Sequence, residues 1–273
     1  VMGGFPARLP SAIVALDHDY VSDNSTSWRE GTCFLQRHED GRSFGGSCLD
    51  AVQGREPEPL VFVWGDSHAA DLIPGFRVLQ TQSRVRLAQY TAVMCAPIIG
   101  LKERAWPDCE SVNDTVLDRV KTLRPDVVVL SANWNHAEPG LDRVALADKL
   151  FETIESVRAA GVRRVVVLGS APSWRESVPA LLAGELRRNP DKPLPHSLPR
   201  SMLRAYDDTL LKAITLKAGA VYVPIFENLC DQTSCIVTTG PGWRDLMTFD
   251  QTHFTEHGSV LVTQRIWSLI LGS

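Results

Sequence analysis

Leu60-Val61-Phe62-Val63-Trp64-Gly65-Asp66-Ser67-His68 joins an apolar run to a turn and then to a helical pattern. A short run of β-branched and aromatic residues stopped by glycine reads as a buried strand. Ala69, Ala70, Leu72 and Ile73 then recur at helical spacing. Gly65 permits backbone angles or close approaches that a side chain would block, so Ser67 falls in the first turn of a helix. A serine there admits two readings. It is a nucleophile set against unpaired N–H groups and a positive dipole end, or Asp66 and Ser67 merely cap the helix within a common turn tripeptide.

Near the other end of the chain, Asp250-Gln251-Thr252-His253 places an acid three residues before a histidine. Serine is a poor nucleophile until a base takes its proton, and a histidine held in one tautomer by a carboxylate is such a base. One element after an early strand and the other before the final helix point together to Ser67, His253 and Asp250 as an acyl-transfer triad. The Ser67 amide would be one oxyanion donor.

Working outward, strands are expected at 60–64, 84–89, 126–131, 163–168 and 220–224. Helices are expected at 68–81, 111–123, 142–160, 200–218 and 256–271, with Gly161 ending the long one. Strands alternating with amphipathic helices define an α/β fold, a parallel sheet of about five strands with helices on both faces. Ligands bind such sheets at the carboxyl ends of the strands, and Ser67, Met94, Asn133 and Ala171 all follow strand ends.

These blocks resemble the SGNH hydrolase superfamily, and in particular the SGNH domains fused C-terminally to acyltransferase-3 membrane proteins that O-acetylate bacterial surface glycans. The resemblance rests on Gly65-Asp66-Ser67-His68 and on Asp250 to His253, and it runs over nearly the whole chain. It implies a flavodoxin-like SGNH fold. It also implies oxyanion donors from a glycine after the second strand and an asparagine after the third. Asn133, in Ser131-Ala132-Asn133-Trp134, takes the asparagine position, with serine replacing the preceding glycine. No glycine stands in Thr91-Ala92-Val93-Met94-Cys95-Ala96-Pro97, which leaves a backbone amide near Met94 as the substitute. An oxyanion donor is worth about 10² to 10³ in rate, so an incomplete set predicts a slow esterase.

The same resemblance implies a periplasmic location and a tether to the inner membrane. It implies an acyltransferase-3 transmembrane domain as partner, supplying acetyl groups whose ultimate source is acetyl-CoA. No cofactor would be bound, and the acceptor would be a sugar hydroxyl of a cell-surface glycan such as lipopolysaccharide O-antigen. Gly4-Phe5-Pro6-Ala7-Arg8-Leu9-Pro10 resembles the segment that follows the membrane part in such fusions. Alternatives are a glycan O-acetyl esterase, and a glycan-binding or docking domain without chemistry.

Composition is consistent with this class. The 273 residues can bury one sizeable core, the formal charge is −4, and basic residues are scattered without a stripe, which argues against a nucleic-acid partner. The longest apolar runs, 127–130 and 165–168, are far short of the roughly 20 residues that span a bilayer. No basic region followed by an apolar stretch opens the chain, so export is expected to be arranged by a segment outside it. Six cysteines fall into local pairs, Cys33 with Cys48, Cys95 with Cys109 and Cys230 with Cys235. Their even number and close spacing favour disulfides and an oxidising compartment. No Cys-x-x-Cys occurs and histidines are not interleaved, so no metal site is expected.

Residues 1–58 are read as an extension packed on the core, the linker from a missing membrane domain, and 59–273 as the catalytic domain. The proline-rich 187–200 is a crossover or an acceptor-binding lid. Trp134, Trp174 and Trp243 fall in loops after strands or before the triad histidine, where aromatic faces suit sugar rings or ordinary packing. His68 would touch the site or lie exposed. His136, Arg175 and Arg244 read as solvated or structural groups, and His257 as a helix-start or surface residue.

Overall fold

A computed structural model of the chain describes residues 24–51, 58–102, 106–134 and 143–272. Of the expected N-terminal extension, 1–58, residues 24–51 and 58 are described, and His136 lies outside the described residues. In chain order the elements are β1 (Phe34–Leu35), β2 (Leu60–Gly65), α1 (Ser67–Ala70), α2 (Ile73–Ser83), β3 (Arg86–Ala92), α3 (Cys109–Leu123) and β4 (Val127–Ser131). There follow α4 (Arg143–Ala159), β5 (Arg164–Leu168), α5 (Val178–Arg188), β6 (Ser197–Pro199), α6 (Thr209–Lys217), β7 (Val221–Val223), α7 (Phe226–Leu229), β8 (Ser234–Ile236) and α8 (Glu256–Leu271).

The main sheet has six parallel strands in the order β1-β3-β2-β4-β5-β7. Five match the expected strands. The sixth, β1, is only two residues long, Phe34 facing Thr91 and Leu35 facing Ala92, too short to show a period of two in sequence. It joins the segment before residue 58 to the same sheet as the rest.

Alternate residues of β2 and β4 serve opposite layers, as the pleat requires. Phe62, Trp64, Val128 and Leu130 pack on one face with Val116 and Val120 of α3 and Ile154 of α4. Val61, Val63 and Val129 pack on the other with Phe76 of α2 and Val262, Ile266 and Ile270 of α8. Helix α2 lies close on α8: a Cβ on Gly75 would come within 2.4 Å of the Ser259 carbonyl oxygen, and the Gly75 N–H donates to Ser259 Oγ at 3.0 Å.

Two expectations are corrected and one helix is added. The helix expected over 68–81 is two helices, broken at Asp71 and Leu72, with Pro74 in the first turn of the second. The helix expected over 200–218 is regular only at Thr209–Lys217, because Leu203 is instead bridged to Trp174. Helix α5, unassigned in the sequence reading, forms with Ser177 as N-cap, Pro179 in its first turn and Val178, Leu182 and Leu186 buried. It covers a third apolar cluster with Trp174, Leu198, Trp243 and Leu246. Pro199 ends β6, which pairs with β8 in a separate antiparallel ribbon, a setting that tolerates proline.

All three cysteine pairs are joined, Cys33–Cys48, Cys95–Cys109 and Cys230–Cys235, with no free cysteine among the described residues.

Candidate active site

The β2–α1 turn is built by one close approach. A Cβ on Gly65 would sit 1.8 Å from the Ser131 carbonyl oxygen, so only glycine lets β2 and β4 run side by side here. Asp66, 5% exposed, caps α1: its Oδ1 accepts the His68 N–H at 2.8 Å and its Oδ2 accepts the Asn133 N–H at 2.9 Å. The carboxylate thus stitches the Ser67 turn to the end of β4 and occupies the backbone amides of His68 and Asn133.

Ser67, His253 and Asp250 come together at the carboxyl edge of the sheet. His253 Nδ1 lies 2.7 Å from Asp250 Oδ2, and His253 Nε2 lies 2.9 Å from Ser67 Oγ. With Nδ1–H donated to the carboxylate, the Nε2 lone pair accepts the hydrogen bond of the Ser67 hydroxyl. The other Asp250 oxygen accepts the N–H groups of Thr252 and His253, each at 2.8 Å, so the three-residue spacing closes a tight turn around one carboxylate. Burial pushes the Asp250 carboxyl up, but the His253 hydrogen bond and charge and the two amides outweigh it and hold it below the usual carboxylate range. The loop is braced from outside: Trp174 N–H donates to Gln251 O at 2.8 Å and Val178 N–H to Asp250 O at 3.1 Å.

Among the described residues three rings flank the imidazole. Phe249 lies parallel to His253 at 5.7 Å between centroids, Trp28 is inclined at 5.6 Å and His68 at 4.8 Å. His68 is 6% exposed, so of its two sequence readings the exposed one is excluded: the turn that caps on Asp66 carries it inward. Trp28 belongs to the segment before residue 58. Its carbonyl accepts from the buried Gln89 Nε2 at 2.8 Å. Sequence reasoning passed over Trp28, and nothing local to it signals proximity to His253.

The remaining candidates are placed as follows. The Asn133 carboxamide makes no hydrogen bond among the described residues. Met94 follows β3 with φ +53°, the left-handed conformation that glycine adopts without strain, at the position where the expected glycine is absent. Its sulfur accepts from Arg37, and no hydrogen bond joins it to Ser67 or His253. Trp174 and Trp243 are corrected as candidate sugar contacts. They are 1% and 4% exposed, their faces covered by the apolar cluster beneath α5. Trp134 is half-buried, its Nε1–H donating to Leu168 O at 2.7 Å, and it lines a cavity of about 50 Å³ with Leu150, Asp208 and Leu211.

Taken as a whole, strand, serine turn and histidine loop have the form of an SGNH domain, and residues 32–268 match the family model described as SGNH domain (fused to AT3 domains). The chain belongs to that family. It is similar in fold to the periplasmic domain of a lipopolysaccharide acetyltransferase from Salmonella ser. Paratyphi A, with a TM-score of 0.76, 20% identity, and coverage of 98% of this chain and 100% of that one. A weaker likeness, TM-score 0.50 at 10% identity, joins 78% of this chain to 99% of an inhibitor-bound aryl esterase from M. smegmatis. No curated protein matches the chain.

Proposed function

We propose that this chain is the acyl-transfer domain of a surface-glycan O-acetyltransferase, working through an acyl-serine intermediate. The supporting observation is the continuous Ser67–His253–Asp250 hydrogen-bonded line, 2.9 Å and 2.7 Å. Ser67 Oγ attacks the carbonyl carbon of an acetyl donor while its proton passes to His253 Nε2. The imidazolium, oriented and stabilised by Asp250, then gives that proton to the departing group. In the second half-reaction a sugar hydroxyl loses its proton to His253 and attacks the acetyl-serine, and as the Ser67 Oγ–acyl bond breaks the imidazolium returns that proton to Ser67 Oγ.

The tetrahedral oxyanion is met by the Ser67 N–H and the Asn133 carboxamide, with the amide near Met94 as a further donor. The His68 and Asn133 amides are already taken by Asp66, so the side chain of Asn133 rather than its backbone is the donor in this reading.

The family's fusion to AT3 domains supports a membrane domain on the same polypeptide as the acetyl source, and the acetyltransferase likeness supports a periplasmic setting with a lipopolysaccharide-type glycan as acceptor. Among the described residues no helix is long and apolar enough to cross a membrane. Water and sugar attack the same acyl-serine, which makes a glycan O-acetyl esterase the second reading. Isotope-labelled acetyl transfer to purified polysaccharide by the full-length protein tests the choice. Label on the glycan supports the transferase, and release of acetate from acetylated glycan without transfer supports the esterase. Unchanged glycan acetylation with Ser67→Ala would leave only a binding or docking role.

A further inference from the structure

Asp71 ends α1 one turn beyond Ser67, and its own N–H donates to Ser67 O at 2.9 Å. Its side chain is wholly buried, 0% exposed. Oδ2 accepts the N–H of Phe254, the residue after His253, at 3.0 Å. Oδ1 is buried with no hydrogen-bond partner among the described residues. One residue therefore joins the nucleophile turn to the histidine loop through two hydrogen bonds.

The charge state of this carboxyl follows from its surroundings. An ionised carboxylate needs donors for both oxygens or a cation beside it, and leaving a buried charge without them costs several kcal/mol. Asp71 has one amide donor for two oxygens, and the charges acting on it are the carboxylates of Asp66, from the cap of α1, and Asp250, from the histidine loop. His253 is adjacent in chain to Phe254, and His68, on α1, has its ring 4.8 Å from that of His253. Burial raises the Asp71 carboxyl well above its usual range, and both carboxylates add to the effect.

We infer that Asp71 is a positioning residue for the acyl-transfer site: as an uncharged acid it fixes the histidine loop to the serine turn and so sets the Ser67–His253 separation. The inference rests on the proposed role of those two residues. Neutrality matters because a second carboxylate charge near the site would favour the imidazolium and leave less of His253 as the free base that takes the serine proton. Asp250 already supplies the one negative charge the proton transfer uses. Asp71 contributes an acceptor in the right place and no field.

The test uses this chain with ¹³C-labelled aspartate, and the variants Asp71→Asn and Asp71→Leu. The Asp71 carboxyl carbon is expected at the shift of a protonated acid at pH 7, and a carboxylate shift overturns the neutral assignment. Asparagine keeps an uncharged acceptor for Phe254 N–H. Its maximal rate of Ser67 labelling by a fluorophosphonate is expected within about twofold of the parent, with the acid limb of the profile unmoved. An acid limb displaced to lower pH, the sign of a lost negative charge, contradicts it. Leucine removes the acceptor, and its maximal labelling rate is expected about 10- to 100-fold lower at unchanged reagent affinity and unchanged circular dichroism. Labelling as fast as the parent overturns the positioning role. Should Asp71→Leu fail to fold, Asp71→Ala carries the same comparison. An inert serine in the parent chain sinks the acyl-serine reading and the positioning role with it, and leaves the carbon shift to decide the charge state alone.

Discussion

The indole of Trp28 rests against the imidazole of His253, ring centroids 5.6 Å apart and planes inclined by 52°. A residue of the segment before β2 thus forms one wall of the candidate site. Phe34 meets the same indole edge-on at 5.5 Å and Phe249 at 5.9 Å, so the wall continues into both β1 and the histidine loop.

Trp28→Ala is expected to cost about 3 kcal/mol or more of stability, the usual price of emptying a buried aromatic site. It is also expected to slow Ser67 labelling, because His253 loses one of its three ring neighbours. Denaturant unfolding and fluorophosphonate labelling at matched folded fraction check the two effects separately. Equal labelling rates would make Trp28 a packing residue only.

Asp250→Asn keeps the shape of the turn but removes the acceptor that holds Nδ1 protonated. By analogy with other Ser-His-Asp sites, acyl transfer is expected to fall by roughly 10⁴. The fold is expected to persist, since the asparagine oxygen still accepts the Thr252 and His253 amides. Acetyl-ester turnover measured beside circular dichroism tests this, and a loss under tenfold would argue that Asp250 is no part of the proton path.

Asp250 and Asp71 are expected to act oppositely on stability as pH changes. Asp250 is depressed in the folded state, so its contribution is present above the unfolded value of 3.8 and is lost as pH falls through the folded one. Asp71 is raised, so its contribution is full below 3.8 and is lost as pH rises towards and through its folded value. Asp250→Asn should therefore flatten the acid limb of the stability profile. Asp71→Asn should gain on the parent chain as pH rises from 4 towards neutrality. Urea midpoints at pH 3 to 8 decide both.

Gly65→Ala is expected to destabilise the chain by about 1–3 kcal/mol or more and to abolish labelling, because the added Cβ would lie 1.8 Å from Ser131 O. The strand edge has to open to admit it, and Ser67 moves with the edge. Thermal unfolding and labelling check this. A stable, fully reactive variant would mean that the β2–β4 approach is looser than described.

How much of this was legible in the sequence depends on how local the signal was. The β2–α1 junction was plain, because strand, glycine, cap and serine are contiguous. Helix α8 was equally plain, with Thr255 accepting from Gly258 N–H at one end and Gly272 left-handed at the other. β1 was invisible because two residues carry no pattern, and the lost start of the helix expected over 200–218 was decided by a bridge to Trp174 far away in sequence. The same distance hid the burial of Trp174 and Trp243 beneath α5, the approach of Trp28 to His253, and the Asp71–Phe254 bond. The two motifs that meet at the candidate site could be read from the sequence. What holds them against each other could not, since each tie is a tertiary contact between segments with no sequence relation.

The central claim is that Ser67 is activated by His253. Intact mass of the chain after exposure to a fluorophosphonate, run beside Ser67→Ala and His253→Ala, tests it most directly. The account predicts one stoichiometric adduct, mapped to Ser67 and missing from both variants. No adduct on the folded parent chain, or an adduct that survives loss of His253 undiminished, would contradict it.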